Sequence, residues 1–248
     1  MAARKTKMIH WTAVVLLAGC LMPDGAVAAT FRVTTRLFEG AALEPAAEHK
    51  ILFDEGLVFD LPQIHSRFVT VYDPARDRVT LLDRQTQVQT TVRIEDLVKV
   101  TAAARAAAST DQQREHLGLN SEVQPSKRVI GYTIRFGSLE YHTTTQKPED
   151  PTIANDYGQF AILASRLNIV RRLGPPPFGR MTLSDHITQR GEIPLETTLT
   201  LKTRKANEQY RSTHLLEDLS PVDRQKIAEV RGMISLYQNV DFEAFPKH

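Results

Sequence analysis

Residues 51–94 read ILFDEGLVFDLPQIHSRFVTVYDPARDRVTLLDRQTQVQTTVRI, and their heart is FVTVYD-PARD-RVTLLD, Phe68 to Asp83. Two runs rich in β-branched and aromatic residues flank a turn that begins Asp73-Pro74. Proline presets φ there, and Asp73 can bond the turn backbone. Short strands are expected at His49–Phe53 and Leu57–Leu61, about Gly56, and Pro62 ends the second. Thr86–Ile94 alternates strictly: Val88, Thr90, Val92 and Ile94 share one side, and Gln87, Gln89, Thr91 and Arg93 the other, which reads as a wet face. The stretch is an antiparallel meander.

Outward from the meander, Thr30–Phe38 reads as a strand on its N-terminal side. On its C-terminal side Glu95–Ser109 is Ala-rich and helical by propensity. A polar segment follows to Lys127, a short helix and then a loop. Strands resume at Val129–Phe136 and Leu139–Thr145. Asp150-Pro151 opens a helix that runs to Leu173 with Tyr157, Phe160, Ala161, Ala164, Leu167 and Val170 at i, i+3, i+4, i+7 spacing. Gly174 and Pro175-Pro176-Pro177 stop it. Phe178–Arg190 is a second helix. Ile193–Lys202 and Glu208–Leu216 form a hairpin. Ser220-Pro221-Val222-Asp223 is a capping-box variant opening a last helix, with Ile227, Val230, Ile234 and Tyr237 inward. Residues 241–248 are expected to be loosely held.

Runs of strands broken by a few helices define an α+β fold. About nine or ten strands suffice for a strongly curved antiparallel sheet, an incomplete β-barrel with helices packed on or across its concave face. Residues 29–240 form one such domain, preceded by a leader.

That leader, residues 1–28, has a basic start (Arg4, Lys5, Lys7), an apolar core from Trp11 to about Met22, a break at Pro23-Asp24-Gly25, and Ala26-Val27-Ala28. This is the layout of a secretory signal peptide cut after Ala28. Its core is too short to span a bilayer of ~30 Å hydrocarbon. A second processing reading stands beside it. Leu17-Ala18-Gly19-Cys20 matches a bacterial lipobox, where the cut precedes the cysteine and its thiol takes lipid, so that residues 1–19 are the leader and Cys20 a membrane tether. Either way the protein is exported, periplasmic or bound to the cell envelope.

The net charge of +2 is wholly the leader's, and the remainder carries equal numbers of acidic and basic residues. That balance gives no basis for nucleic-acid binding. Cys20 is the only cysteine, so no internal disulfide forms. No histidine pair has metal-ligand spacing, and no G-x-S-x-G, P-loop or G-x-G-x-x-G occurs. Ser184-Asp185-His186 juxtaposes three catalytic residue types, but helical neighbours point about 100° apart and make no triad. Asp54, Glu55, Asp60, Asp73, Asp77 and Asp83 crowd the meander and read as solvated turn and edge residues. No catalytic, cofactor or metal residue is assigned. A hydrolase reading requires at least two of His65, His142, His186, His214, Asp73 and Asp185 in one cleft.

Several strands carry apolar residues on both faces: Phe68, Thr70 and Tyr72 against Val69 and Val71, and Val79 and Leu81 against Leu82. One face can pack under a helix while the other lines a cavity. The aromatic and aliphatic residues for such a lining are Phe68, Tyr72, Leu81, Tyr132, Phe136, Tyr141 and Phe160. A leader, a long meander with a Tyr72-Asp73-Pro74 hairpin, then helices and more strands resembles the lipoprotein-localisation carrier and receptor superfamily of bacterial envelopes. The resemblance is one of element order over residues 30–240, carries over no ligand-binding residue, and meets no tryptophan after Trp11. It implies an incomplete β-barrel with a helical lid over an apolar cavity, and a lipid or lipoprotein acyl chain as partner. The expected function is that of a non-enzymatic binding protein. The alternative is a structural or interaction protein whose core is fully packed.

Overall fold

The computed structural model of the protein describes residues 29–127, 129–171, 177–203 and 206–246. Cys20, Ala28 and the Pro175-Pro176 break lie outside the described residues. Six strands open the chain: β1 (Phe31–Glu39), β2 (Ala47–Asp54), β3 (Leu57–Pro62), β4 (Phe68–Asp73), β5 (Arg78–Asp83) and β6 (Val88–Arg93). Then come α1 (Ile94–Ala106), α2 (Asp111–His116), β7 (Gln124–Pro125), β8 (Gly131–Phe136) and β9 (Leu139–Gln146). The C-terminal part holds α3 (Pro151–Arg171), α4 (Phe178–Gln189), β10 (Ile193–Lys202), β11 (Asn207–Glu217), α5 (Pro221–Leu236) and β12 (Gln238–Asn239).

All twelve strands join one open sheet in the order β12-β6-β5-β4-β3-β2-β1-β11-β10-β9-β8-β7. Every pairing is antiparallel except β12 on β6. The fold is α+β. The strands beyond the expected nine or ten include the two-residue β7 and β12 at the sheet's margins. The N-terminal meander and the C-terminal strands meet where β1 pairs with β11, from Arg32 opposite Glu217 to Glu39 opposite Tyr210.

Turn chemistry sets the meander's register. Glu55 and Gly56 both have positive φ, 52° and 77°, the sign pattern of a two-residue hairpin turn that follows strand twist. Between β4 and β5, Pro74–Arg76 forms a 3₁₀ turn capped by Asp73, whose carboxylate accepts from the Arg76 amide at 3.2 Å. Asp77 closes it at φ 51°. Asp83 likewise accepts from the Gln85 amide (2.9 Å) and the Thr86 hydroxyl (2.8 Å) after β5.

The two-sided apolar strands are buried on both sides. On one face Phe53, Val58, Tyr72, Val79 and Leu81 share a core with Leu97 of α1 and with Tyr157, Phe160, Leu163 and Leu167 of α3. On the other, Leu52, Phe59, Leu61, Val69, Val71 and Leu82 pack on Ile227 and Val230 of α5. Each such fully buried side chain stabilises the fold by about 1.5–3 kcal/mol. A third cluster joins Tyr132, Ile134 and Phe136 of β8 to Leu183 and Ile187 of α4.

Ser220 and Asp223 form the expected capping box on α5, and buried Asp223 also pairs with Arg32 at 2.7 Å. The far end of α5 corrects the reading of β6. Gln89, assigned to a wet face, is 5% exposed, and its amide donates to the carbonyls of Ile234 (2.8 Å) and Tyr237 (2.9 Å). Residue parity marked Gln89 as facing away from the Val88 side, but parity does not reveal that a helix covers that face. Residues 241–246, expected to be loose, are likewise held. After β12 the chain forms a 3₁₀ turn at Phe242–Ala244 and inserts Phe245 into the core, its ring 5.9 Å from that of Phe68.

Gln89 therefore ties the end of α5 to β6 through two buried hydrogen bonds. Gln89→Leu is expected to lower the unfolding free energy by about 1–3 kcal/mol, the cost of buried acceptors left unpaired. Urea denaturation read by circular dichroism measures it. A loss no larger than that of an exposed control such as Gln87→Leu contradicts the role.

Candidate functional site

The candidate site is a groove where α3 leaves the sheet. Its floor is apolar: Phe53 from β2, Val58 from β3, Tyr72 from β4, and Phe160 and Leu163 from α3. These rings interlock, with Phe160 edge-on to Tyr72 (centroids 5.2 Å apart) and to Phe53 (6.0 Å). Such offset and edge arrangements suit the ring quadrupoles. The walls are the Gly56 and Pro74-Ala75 turns, and the rim is Thr152, Asn155, Asp156 and Gln159 along the first turns of α3. The groove is open on one side and offers about 620 Å³, within the range of small-molecule sites.

Local sequence explains the placement. Asp150 caps α3, its carboxylate accepting from the Thr152 amide (2.8 Å) and hydroxyl (2.7 Å), and these bonds hold its carboxyl below the ordinary range. Once α3 starts there, its 3.6-residue period aims Phe160 and Leu163 at the sheet and leaves Asn155 and Gln159 on the open side. Burial, with the nearby charge of Asp150, pushes the Asp156 carboxyl above its usual value, while the Asn155 amide, 3.3 Å away, works the other way. Burial pushes the Tyr72 phenol well up, so it stays protonated at the groove floor.

Of the seven residues expected to line a cavity, Tyr72 and Phe160 line this groove. Leu81 is in the core beneath α1 and α3. Phe68 packs at the margin of that core, under Phe245 and the Arg67 guanidinium. Tyr132, Phe136 and Tyr141 belong to the separate cluster against α4. The signal that sequence reasoning missed is the pair of tight turns. Gly56 and Pro74-Ala75 are small or rigid, and both turns fall on the same end of the strands beside α3.

The titratable groups of a hydrolytic site are dispersed among structural partners. His142 bonds Thr133 (3.2 Å), His186 meets the Tyr132 ring edge-on, and Asp185 accepts from Gln189 (2.7 Å). Asp73 pairs with Arg76 and Arg78. No hydrogen bond or ion pair joins any two of the six groups named for hydrolysis among the described residues, and no group of three or more metal-ligating side chains occurs among them. Of the meander acids, Asp54, Asp73 and Asp83 end strands and Glu55 and Asp77 stand in turns as expected, but Asp60 lies inside β3 with its carboxylate 2.6 Å from His49, and Asp73 and Asp83 are buried, not solvated. The Arg67 guanidinium forks onto Asp83 at 2.9 and 2.6 Å and, against the effect of burial, holds its carboxyl at about 2.

His214 on β11 is the one buried histidine among the described residues. The Tyr157 hydroxyl lies 2.7 Å from Nδ1 and the Ser212 hydroxyl 3.3 Å from Nε2, while Ser212 donates onward to the Thr197 carbonyl. A neutral ring satisfies this chain: Tyr157 donates to Nδ1 and Nε2–H donates to Ser212. Burial, aided by the Arg180 charge, pushes the imidazole down to about 3. No helix of the described residues is long and apolar enough to cross a membrane.

No protein-family model matches the sequence, and no curated protein matches it either.

His214 generates a signed pH dependence. Its folded pKa lies below the ordinary 6.5, so between those values the unfolded chain binds a proton that the folded chain refuses. Stability contributed by the neutral ring is complete above about 6.5 and declines as pH falls toward 3, by about 1.4 kcal/mol per unit. His214→Gln is expected to remove that component, so the stability gap between wild type and variant narrows from pH 7 to pH 4. A constant gap in parallel denaturation series contradicts it.

Proposed function

We propose that the protein is an exported, non-enzymatic binding protein of the bacterial envelope that holds a lipid or acyl chain in the groove beside α3. The observation that carries this reading is the groove itself: four apolar side chains and the Tyr72 ring form its floor, and, the Tyr72 hydroxyl apart, its polar side chains stand at the rim. An acyl chain gains about 0.8 kcal/mol per buried CH₂ from such a floor, and the rim offers hydrogen bonds to a head group. The reading takes the open sheet as a strongly curved, incomplete barrel and α3 as part of its lid, as in the lipoprotein-localisation carriers. Export rests on the N-terminal leader, with release after Ala28 or tethering through Cys20.

A second reading is a structural or interaction protein with a fully packed core. The packing of α5 favours it, because Ile227 and Val230 account for the second apolar face of β2 to β5 without a ligand.

Ala75 separates the two. It is exposed on the groove wall, outside the core, so Ala75→Trp fills the groove without repacking the interior. Native mass spectrometry of protein purified from its envelope is expected to show bound lipid. Ala75→Trp is expected to lose that lipid and to weaken uptake of a fluorescent fatty acid by about tenfold or more, roughly 1.4 kcal/mol. Lipid-free wild type that takes up no fatty acid favours the packed-core reading.

A further inference from the structure

Ala29, half-buried, packs against the core cluster and stands on the groove rim beside Asn155 and Asp156. Its backbone N–H, on the same rim as the Asp156 carboxylate, works against the upward push that burial gives that carboxyl. That carboxylate is half-buried, with the Asn155 amide as its side-chain partner at 3.3 Å, and it makes no ion pair with a lysine or arginine of the described residues. Elsewhere the structure neutralises its buried acids with cations: Asp83 has Arg67, Asp73 has Arg76 and Arg78, and Asp223 has Arg32. Half-buried Asp156, like half-buried Glu192 on the Tyr132 and Thr145 hydroxyls, has no such cation among the described residues, and the backbone nitrogen beside it is the one that follows Ala28.

We propose that cleavage after Ala28 supplies the missing cation: the new N-terminal ammonium of Ala29 docks on Asp156 and completes the groove rim. The inference rests on the leader reading. An envelope signal peptidase adds water across the Ala28–Ala29 amide. Ala28 leaves as a carboxylate carrying the water oxygen, and both hydrogens of the water end on the Ala29 nitrogen, which becomes an ammonium with no net uptake of protons. An α-amino group titrates near 8 and is charged at neutral pH. The single amide N–H beside Asp156 thus becomes a cationic donor group with three N–H bonds, and an ion pair replaces a contact with a neutral donor. Processing is then a structural event as well as a release. The uncleaved chain leaves a half-buried carboxylate on a single backbone donor, and the mature chain pairs it. Processing at Cys20 leaves Ala29 an amide and forms no such pair.

Two measurements test this, and their failures are distinguishable. The first is intact-mass and N-terminal analysis of protein exported with its own leader. An N-terminus at Ala29 is expected, and an acylated Cys20 or another start overturns the cleavage and with it the leader reading. The second is a double-mutant cycle by urea denaturation at pH 7. It uses chain that begins at Ala29 by design, with a free or an acetylated amine, each with and without Asp156→Asn. Asp156→Asn is expected to lower the folding equilibrium constant about threefold or more with the free amine relative to the acetylated one. An equal effect in both forms overturns the ion pair while leaving the leader reading intact. Acetylation keeps the backbone N–H, so a purely structural role for the amide bond predicts that equal effect.

Discussion

Strands β2 to β5 are apolar on both faces, and no single packed layer can bury them. This constraint governs the molecule. A half-buried strand alternates apolar with polar residues, and one helix covers its dry side. Here Phe53, Val58 and Tyr72 face one way while Leu52, Phe59, Val69 and Val71 face the other. The chain resolves the constraint by sending α3 across one face and α5 across the other, so the meander becomes the middle layer of three. Each helix is tied down by a device at its start. Asp150 caps α3, and the Ser220–Asp223 box caps α5 while Asp223 reaches Arg32 of β1.

The groove follows from how α3 crosses. Its rings reach Tyr72 of β4, Phe53 of β2 and His214 of β11, strands within five consecutive places in the sheet. Toward its N-terminus the helix stands beside the Gly56 and Ala75 turns, whose small side chains do not fill the space. Deeper in, Tyr157 meets His214, and the contact closes into a fully bonded polar chain. Closer packing is seen where α3 meets α4: a β-carbon at Gly158 would lie 1.9 Å from the Thr188 hydroxyl. One helix thus has an open end and a close-packed side, and the open end is where a ligand has room.

The sequence was most legible where a local rule sufficed. Asp73-Pro74 announced the β4–β5 turn, and Ser220 to Asp223 announced the start of α5, because both depend on residues within four positions of each other. The two-sided strands were also readable, but which layer covered each side was not. Parity along a strand separates Leu81 from Leu82 without revealing which side a helix will occupy. Parity alone therefore places Gln89 on a wet face although α5 covers it, and groups Tyr132 and Phe136 with Tyr72 although α4 gathers them into a separate cluster. Tyr72 and Phe160 were found because both are large, apolar and periodic. Gly56 and Ala75 were missed because a wall made by small residues leaves no hydrophobic signal. Phe245 was missed because it lies beyond the last long element, in a segment whose composition reads as a tail.

Photo-crosslinking with a diazirine-bearing fatty acid, followed by peptide mapping, bears most directly on whether this end of α3 is a binding site. Label is predicted on the peptides that carry Val58, Tyr72 and Phe160, and competition with unmodified fatty acid is predicted to remove it. Label confined to the β8–β9 surface, or spread over the protein and indifferent to competitor, would contradict the assignment.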